Sequence, residues 1–141
     1  MSKAVKVNIV PCSGIGKSIG SVSRLTAYYI TEDYRAADTK LVPLALLVLG
    51  DKDTTSTVQS NPSITLDGCQ HQCAKKIIGE YGGEITKDIV VLDVYREHND
   101  LKPTGIAELN EAGKQLARAL ANTVIPLIDQ VVGKTEGVEN A

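Results

Sequence analysis

The sequence contains neither tryptophan nor phenylalanine, and its five tyrosines are the only aromatic residues. This scarcity argues against a base-stacking surface of the kind that binds single-stranded nucleic acid. Nor is there an excess of positive charge, since 15 Lys and Arg stand against 17 Asp and Glu. We therefore expect neither nucleic acid nor an anionic membrane surface as a partner. The core must be built from valine, isoleucine, leucine and alanine.

The chain also lacks a long apolar segment. The longest apolar stretch, residues 41–49, is interrupted by Pro43 and is far shorter than a membrane-spanning helix. Residues 1–6 do not resemble the apolar core of a secretory signal. Three cysteines, an odd number, are not the framework of a disulfide-bonded secreted domain. These features predict a cytoplasmic protein with free thiols, which in a reducing compartment are more often metal ligands or reactive groups.

The alternation of apolar blocks with helical patterns predicts an α/β fold. At 141 residues, 43% of them hydrophobic, the chain is long enough for one compact domain. Strands are predicted at 5–10, 44–49, 63–66 and 89–95. Helices are predicted at 15–37, near Asp53, at 70–81 and over the C-terminal region. Pro126 should kink or divide the last helix. This order favours a single-domain, doubly wound, mostly parallel sheet of about four strands with helices on both faces. We expect the first and third strands to be central neighbours, and the domain to span 1–132 with a flexible tail at 133–141.

The three cysteines follow the ends of two predicted strands. Cys12 comes just after the first strand, Cys69 just after the third, and Cys73 four residues later. On a helix beginning at Gln70, the last two would lie about one turn apart, with Cβ atoms separated by roughly 5–6 Å. Ligands of open α/β sheets collect at the carboxyl ends of the strands. The sequence therefore predicts that all three thiols gather at this edge.

Soft thiolate ligands in a reducing compartment select zinc or an iron–sulfur cluster. Three protein ligands and one open position are typical of catalytic zinc sites, whereas structural sites have four protein ligands. Candidates for the fourth position are His71, Asp67, Asp51 and water. His71 should point away from both nearby thiols if residues 70–81 are helical, so water or an outside ligand is preferred. The simpler alternative is that the cysteines are ordinary small buried residues.

A glycine-rich loop after the first strand offers a second interpretation. Its candidate anion-binding residues are Ser13, Gly14, Gly16, Lys17 and Ser18. Backbone amides at such a strand-to-helix turn could hold an anion, although the glycines could equally form a tight turn and nothing more. The loop is not a standard nucleotide-binding motif, because Pro11 occupies the position of its first glycine. It is not a Cys-x₅-Arg loop either, because Ser18 stands in place of the arginine.

Two thiol chemistries are the alternatives to metal binding, and the first of them uses this loop. Cys12 could be a nucleophile at the start of the helix, with the loop holding an oxyanion and Asp67 acting as an acid. Alternatively, Cys69 and Cys73 could form a redox dithiol, with Cys12 as the attacking or resolving thiol. A Cys-x₃-Cys spacing differs from the Cys-x₂-Cys of thioredoxin-like proteins.

Two short motifs carry a family resemblance. The string at residues 67–74 reads D-G-C-x-x-x-C-A, and residues 11–14 read P-C-S-G after the first strand. Together they resemble the DGC-domain family of proposed zinc-binding proteins, whose biochemical activity is not established, over about residues 5–130. The resemblance implies Cys12, Cys69 and Cys73 as zinc ligands. Ile15 stands where some relatives have a further cysteine, so an open site, a ligand from a second subunit or the loss of the metal are the alternatives to a closed four-thiolate site.

From these observations we expect a thiolate-ligated metal protein, with zinc as its cofactor. Its partners would be the metal ion and a small anion. The apolar sheet edge or the long C-terminal helix could also support a homodimer. The sequence indicates no general base and therefore no particular reaction.

Overall fold

A computed structural model of the protein describes residues 5–140, with side chains for residues 5–133. Within this part of the chain, four strands form one parallel sheet: β1 (Val7–Pro11), β2 (Thr39–Leu41), β3 (Ser63–Asp67) and β4 (Ile85–Val90). Their order is β2-β1-β3-β4. The predicted α/β class and the central pairing of the first strand with the strand at 63–66 are confirmed.

Helices cover both faces of this sheet. Their bounds are α1 (Ser18–Tyr28), which continues into a π-helical segment (Tyr29–Tyr34), α2 (Leu44–Leu49), α3 (Lys52–Ser60), α4 (Cys73–Glu80), α5 (Val91–Glu97) and α6 (Glu111–Asn140). Helices α1, α5 and α6 pack on one face, and α2, α3 and α4 enclose a smaller cluster on the other. Side chains alternate between these faces along each strand. In β1, for example, Ile9 joins the larger cluster and Val10 the smaller one.

The predicted strand at 44–49 is wrong, because these residues form α2. Pro43 precedes the first turn, and Gly50 ends the helix with a φ of +89°, the left-handed conformation that glycine adopts at helix ends. Leu49 is 80% exposed, and Leu46 and Val48 are also exposed, so the run is not buried on both sides. The second strand is the short β2 immediately before it.

The predicted strand at 89–95 is correct only in its first two residues. β4 begins earlier, at Ile85, and the chain turns into α5 at Val91. The early residues of β4 include the exposed Thr86 and Lys87. Polar residues suit a strand at the edge of the sheet, but they interrupt the apolar pattern from which the strand was predicted. Val91 is fully buried from a helix rather than from the sheet.

The first predicted helix begins three residues too early. Gly14 and Gly16 have φ angles of +70° and +86°, so the backbone is not helical until Ser18. Ile15, which we expected on the buried face of the helix, is 77% exposed. At its other end the predicted helix extends three residues too far, since the π-helical segment ends at Tyr34.

The last helix passes through Pro126 as one element and is not divided there. The solvent-exposed position of Pro126 is consistent with this, because water can satisfy the carbonyl that loses its helical partner. In the described part of the chain, no helix is both long and apolar enough to cross a membrane. The predicted flexible tail at 133–141 falls almost wholly on residues whose side chains are outside the described part, and it stays a prediction.

Candidate functional site

A cleft of about 180 Å³ opens at the carboxyl ends of β1 and β3. All three cysteines line it, together with Ser13, Gly14, Lys17, Asp67, His71 and Gln72 among others. The cysteines are free thiols, of which Cys12 and Cys69 are half-buried and Cys73 is exposed. The fold thus brings together residues from two loops that are distant in sequence.

Cys12 is fixed by both its backbone and its sulfur. Its N–H donates to the carbonyl of Leu66 at 2.9 Å, which continues the pairing of β1 with β3. The N–H of Gly68 then donates to Cys12 Sγ at 3.4 Å. The loop that follows β3 is therefore bonded directly to the thiol that follows β1.

Three glycines allow the backbone segments around the cleft to touch. A Cβ on Gly14 would lie 2.5 Å from the carbonyl oxygen of Gly20, and a Cβ on Gly68 would lie 3.1 Å from the Cα of Gly20. The first distance is too short for any side chain, and the second is tighter than ordinary packing allows. The first turn of α1 consequently lies directly against both loops that carry the thiols.

The glycine-rich loop contributes only part of its predicted residues to the cleft. Ser13, Gly14 and Lys17 line it, whereas Gly16 and Ser18 do not. Lys17 is the N-cap of α1 and makes no side-chain capping hydrogen bond. The first amides of this helix are therefore not capped by the side chain at the position that usually does so.

The helix predicted at 70–81 starts at Cys73 rather than at Gln70. The expectation that Cys69 and Cys73 share one helical turn is therefore wrong. Gln72 immediately precedes the helix with a φ of +53°. This left-handed conformation is uncommon for a residue with a side chain, and the Gln72 Nε2 group donates to Asp88 Oδ2 at 2.8 Å. Because the turn is not helical, His71 also lines the cleft, contrary to the direction expected from helical geometry.

Asp67 holds the start of α4. Its carboxylate oxygens accept hydrogen bonds from the N–H groups of Ala74 at 2.8 Å and Lys75 at 3.2 Å, and the residue is only 1% exposed. Burial, together with a hydrogen bond and charge repulsion from Asp88, raises the pKa of Asp67 to about 7, against the lowering effect of the two amides. This carboxyl is thus committed to the helix N-terminus that carries Cys73.

Asp88 does not line the cleft but supports it through Gln72, and the sequence analysis missed it. It lies in β4 and accepts from the hydroxyl of Thr65 at 2.6 Å as well as from Gln72. The only sequence signal was an acidic residue one position before the apolar run at 89–92. Its role depends on the pairing of β4 with β3, which places Asp88 beside Thr65.

Asp51 lies elsewhere. It is the N-cap of α3, and it accepts from both the N–H and the hydroxyl of Thr54, at 2.9 and 2.6 Å. These hydrogen bonds lower the pKa of Asp51. Asp51 does not line the cleft of the cysteines, so it is not placed to be the fourth ligand.

The donor chemistry of the cleft fits a thiophilic metal ion, but its geometry is not that of a formed metal site. Three thiols in one cleft are the ligands that zinc and similar ions prefer. Across the described residues, however, no group of three or more His, Cys, Asp or Glu side chains is arranged to hold an ion. A shared ion would therefore require the thiol side chains, or the turn at 69–72, to move.

Comparison with known proteins gives one family match. The model of the DGC domain matches residues 8–123, a region that includes β1 to α5, the cleft and the first part of α6. Curated proteins give no match, and neither do solved structures. The match spans well over half of the chain and both motifs at the cleft, and the protein therefore belongs to the DGC domain family.

Proposed function

We propose that the cleft binds a thiophilic metal ion, with zinc as the first candidate, through Cys12, Cys69 and Cys73. The observation that supports this most directly is that three free thiols from two distant loops line one cleft. These three are all the cysteines in the chain. Soft sulfur ligands bind such ions in preference to magnesium and calcium.

The surrounding residues would prepare this binding in two ways. The Gly68 N–H holds the Cys12 sulfur on one side, while Asp67 holds the first turn of α4, where Cys73 lies. Cys69 and the turn that follows it would supply the movement that brings the sulfurs together. With three thiolates bound, an ion would keep one position for water or an outside ligand.

The test is the metal content of protein purified without added metal or chelator, combined with a count of reactive thiols. We expect about one ion per chain, or per two chains, and thiols that react only after a chelator is added. Replacing any one of the three cysteines by serine should weaken metal retention to a similar extent. Ile15→Ala is the matched control, because it alters an exposed lining residue of the same cleft that offers no metal ligand. Three freely reactive thiols with no uptake on reconstitution would overturn the proposal.

A second candidate is nucleophilic chemistry at Cys12. It is favoured by the specific placement of this thiol, which is bonded to Gly68 and directly precedes the loop at the start of α1. In that case Cys12→Ser alone would abolish reaction with an electrophilic or oxyanion substrate, and the other two cysteines would be dispensable. A redox dithiol would instead give a reversible change in the count of free thiols.

We place this function in the reducing cytoplasm, where free thiols persist. The proposed partners are the metal ion and a small anion. A second copy of the chain is a further candidate, since it could supply the fourth ligand. Size determination with and without bound metal tests that last point, because a shared ion would make dimerisation depend on the metal.

A further inference from the structure

A second cavity, of about 220 Å³, shares Cys12 and Ser13 with the first cleft. Its wall consists mostly of apolar residues at 41–45 together with Pro11, and none of its lining residues is acidic. The lining residues with polar side-chain groups are Cys12, Ser13, Arg24 and Tyr28. Concave sites with an apolar wall and a few convergent polar groups are typical of small-molecule binding.

Arg24 is the distinctive residue of this cavity. The other three arginines of the chain each pair with a carboxylate: Arg35 with Asp129, Arg96 with Asp93 and Arg118 with Glu111. Arg24 is half-buried and has no carboxylate within 4.0 Å in the described part of the chain. Its recorded hydrogen-bond partner is the hydroxyl of Ser21, at 3.5 Å. A guanidinium with five donors is therefore left with one weak contact.

Arg24 lies close to the glycine-rich loop that also lines the first cleft. Its Nε lies 3.4 Å from the point that a Cβ on Gly14 would occupy. A side chain at position 14 would thus press on the base of the guanidinium. Arg24 lines this cavity and also a third one, which Ser21 and Glu108 line as well, while Cys12 lines both the first cleft and the second cavity.

We infer that the cavity binds a small organic carboxylate with a short apolar tail. The guanidinium of Arg24 would receive the carboxylate, a pairing with two parallel hydrogen bonds, and the tail would lie against residues 41–45. Inorganic phosphate suits this cavity less well, because it lacks an apolar part to occupy the wall and meets a single cation. The inference goes beyond the proposed metal site and holds whether or not that site binds an ion.

The inference is tested by titrating the isotopically labelled full chain with hexanoate and following backbone amide signals by NMR. We expect saturable shifts at Ser13, Arg24 and Ala45. Hexanoate should bind about tenfold or more tightly than hexan-1-ol, which lacks the charge, and than acetate, which lacks the tail. Inorganic phosphate at the same concentrations should not compete.

Two variants and one control locate the binding. Arg24→Gln should weaken hexanoate binding about tenfold or more, because it removes the charge and leaves a shorter polar side chain. Ala45→Leu should also weaken it by filling the cavity from an exposed helical position, and it keeps the test valid if the first variant fails to fold. Arg96→Gln removes the same charge at a residue that does not line the cavity and should leave the affinity unchanged. Absence of saturable shifts, equal binding of hexanol, competition by phosphate, or full affinity in both variants would overturn the inference.

Discussion

The two faces of the sheet are built from alternate residues of the same strands, yet they have different chemistry. The face under α1, α5 and α6 receives aliphatic side chains from the central strands, namely Val7, Ile9, Ile64 and Leu66. The face under α2, α3 and α4 receives mostly polar ones, namely Asn8, Ser63, Thr65 and Asp67, all of them buried. The first face contributes stability by burying apolar area. The second uses hydrogen bonds to hold loops and helix ends in place.

Asn8 shows how the polar face works. Its Nδ2 group donates to the carbonyls of Thr57 and Asn61, each at 3.1 Å, which ties the end of α3 to the centre of the sheet. Its Oδ1 atom is buried without a hydrogen-bond partner, so this arrangement carries an energetic cost. Polar residues in a central strand therefore fix geometry here at some expense of stability.

The largest expected effect is on the aliphatic face. Ile9→Ala should lower the free energy of unfolding by about 3–4 kcal/mol, because it leaves a cavity at a fully buried position in the central strand. Denaturant unfolding measures the loss. Val48→Ala is the control, because that side chain is 56% exposed and should change stability by less than about 0.5 kcal/mol. A loss below about 1 kcal/mol for Ile9→Ala would break the distinction between the faces.

The next effect is a pH dependence that belongs to the polar face. The pKa of Asp67 is raised from 3.8 to about 7, so between these values the unfolded chain releases a proton that the folded chain retains. The free energy of unfolding should therefore fall as pH rises from about 4 to 7.

Asp67→Asn provides the matched variant for that titration. It keeps an oxygen that can accept from the start of α4 but cannot ionise, so the slope between pH 4 and 7 should flatten. The lowered pKa of Asp51 has the opposite sign, since its stabilisation is lost as pH falls below about 4. An unchanged slope in the variant would show that another group is responsible.

A somewhat smaller loss is expected for Asn8→Ala, about 2 kcal/mol, because it removes two hydrogen bonds, to the carbonyls of Thr57 and Asn61. Hydrogen exchange should show the amides near the end of α3 losing protection first. A uniform loss of protection across the sheet would mean that Asn8 stabilises the core as a whole and not one helix end.

The smallest effect is a gain. Gly79→Ala in α4 should raise stability by about 0.5–1 kcal/mol, since nothing lies within 4 Å of the added Cβ and alanine favours the helix. Gly82→Ala is the contrasting control, because its φ of +79° makes any side chain unfavourable. Thermal unfolding of the two variants should shift in opposite directions. Shifts of the same sign would contradict the conformational explanation.

The sequence predicted those parts of the fold that depend on local pattern. The strands at β1 and β3 have β-branched residues bounded by Pro11 and by Asp67-Gly68, and their pairing follows from the connection rules of α/β proteins. The run at 44–49 was misread because six apolar residues suit a buried strand and a short helix equally well. Pro43 and Gly50, which flank it, were the signals that favoured the helix.

The sequence predicted most residues of the candidate site but less of their arrangement. That Cys12 and Cys69 follow neighbouring strands could be read from the sequence, because parallel strands end at one edge. The left-handed Gln72 could not, since its conformation is held by Asp88 from another strand. Contacts of this kind depend on strand pairing and register, which a local sequence pattern does not determine.

The meeting of Gly14, Gly20 and Gly68 has a consequence for how relatives of this protein can diverge. Gly14 and Gly20 each occupy the space that a side chain on the other would need, and Gly20 also occupies the space that a side chain on Gly68 would need. A side chain at any of the three positions therefore requires the backbone beside it to move. Substitutions at the three positions are therefore expected to occur together in relatives of this protein. In relatives that replace one of these glycines by a larger residue, the loop that carries Cys12 and the loop that carries Cys69 should lie farther apart.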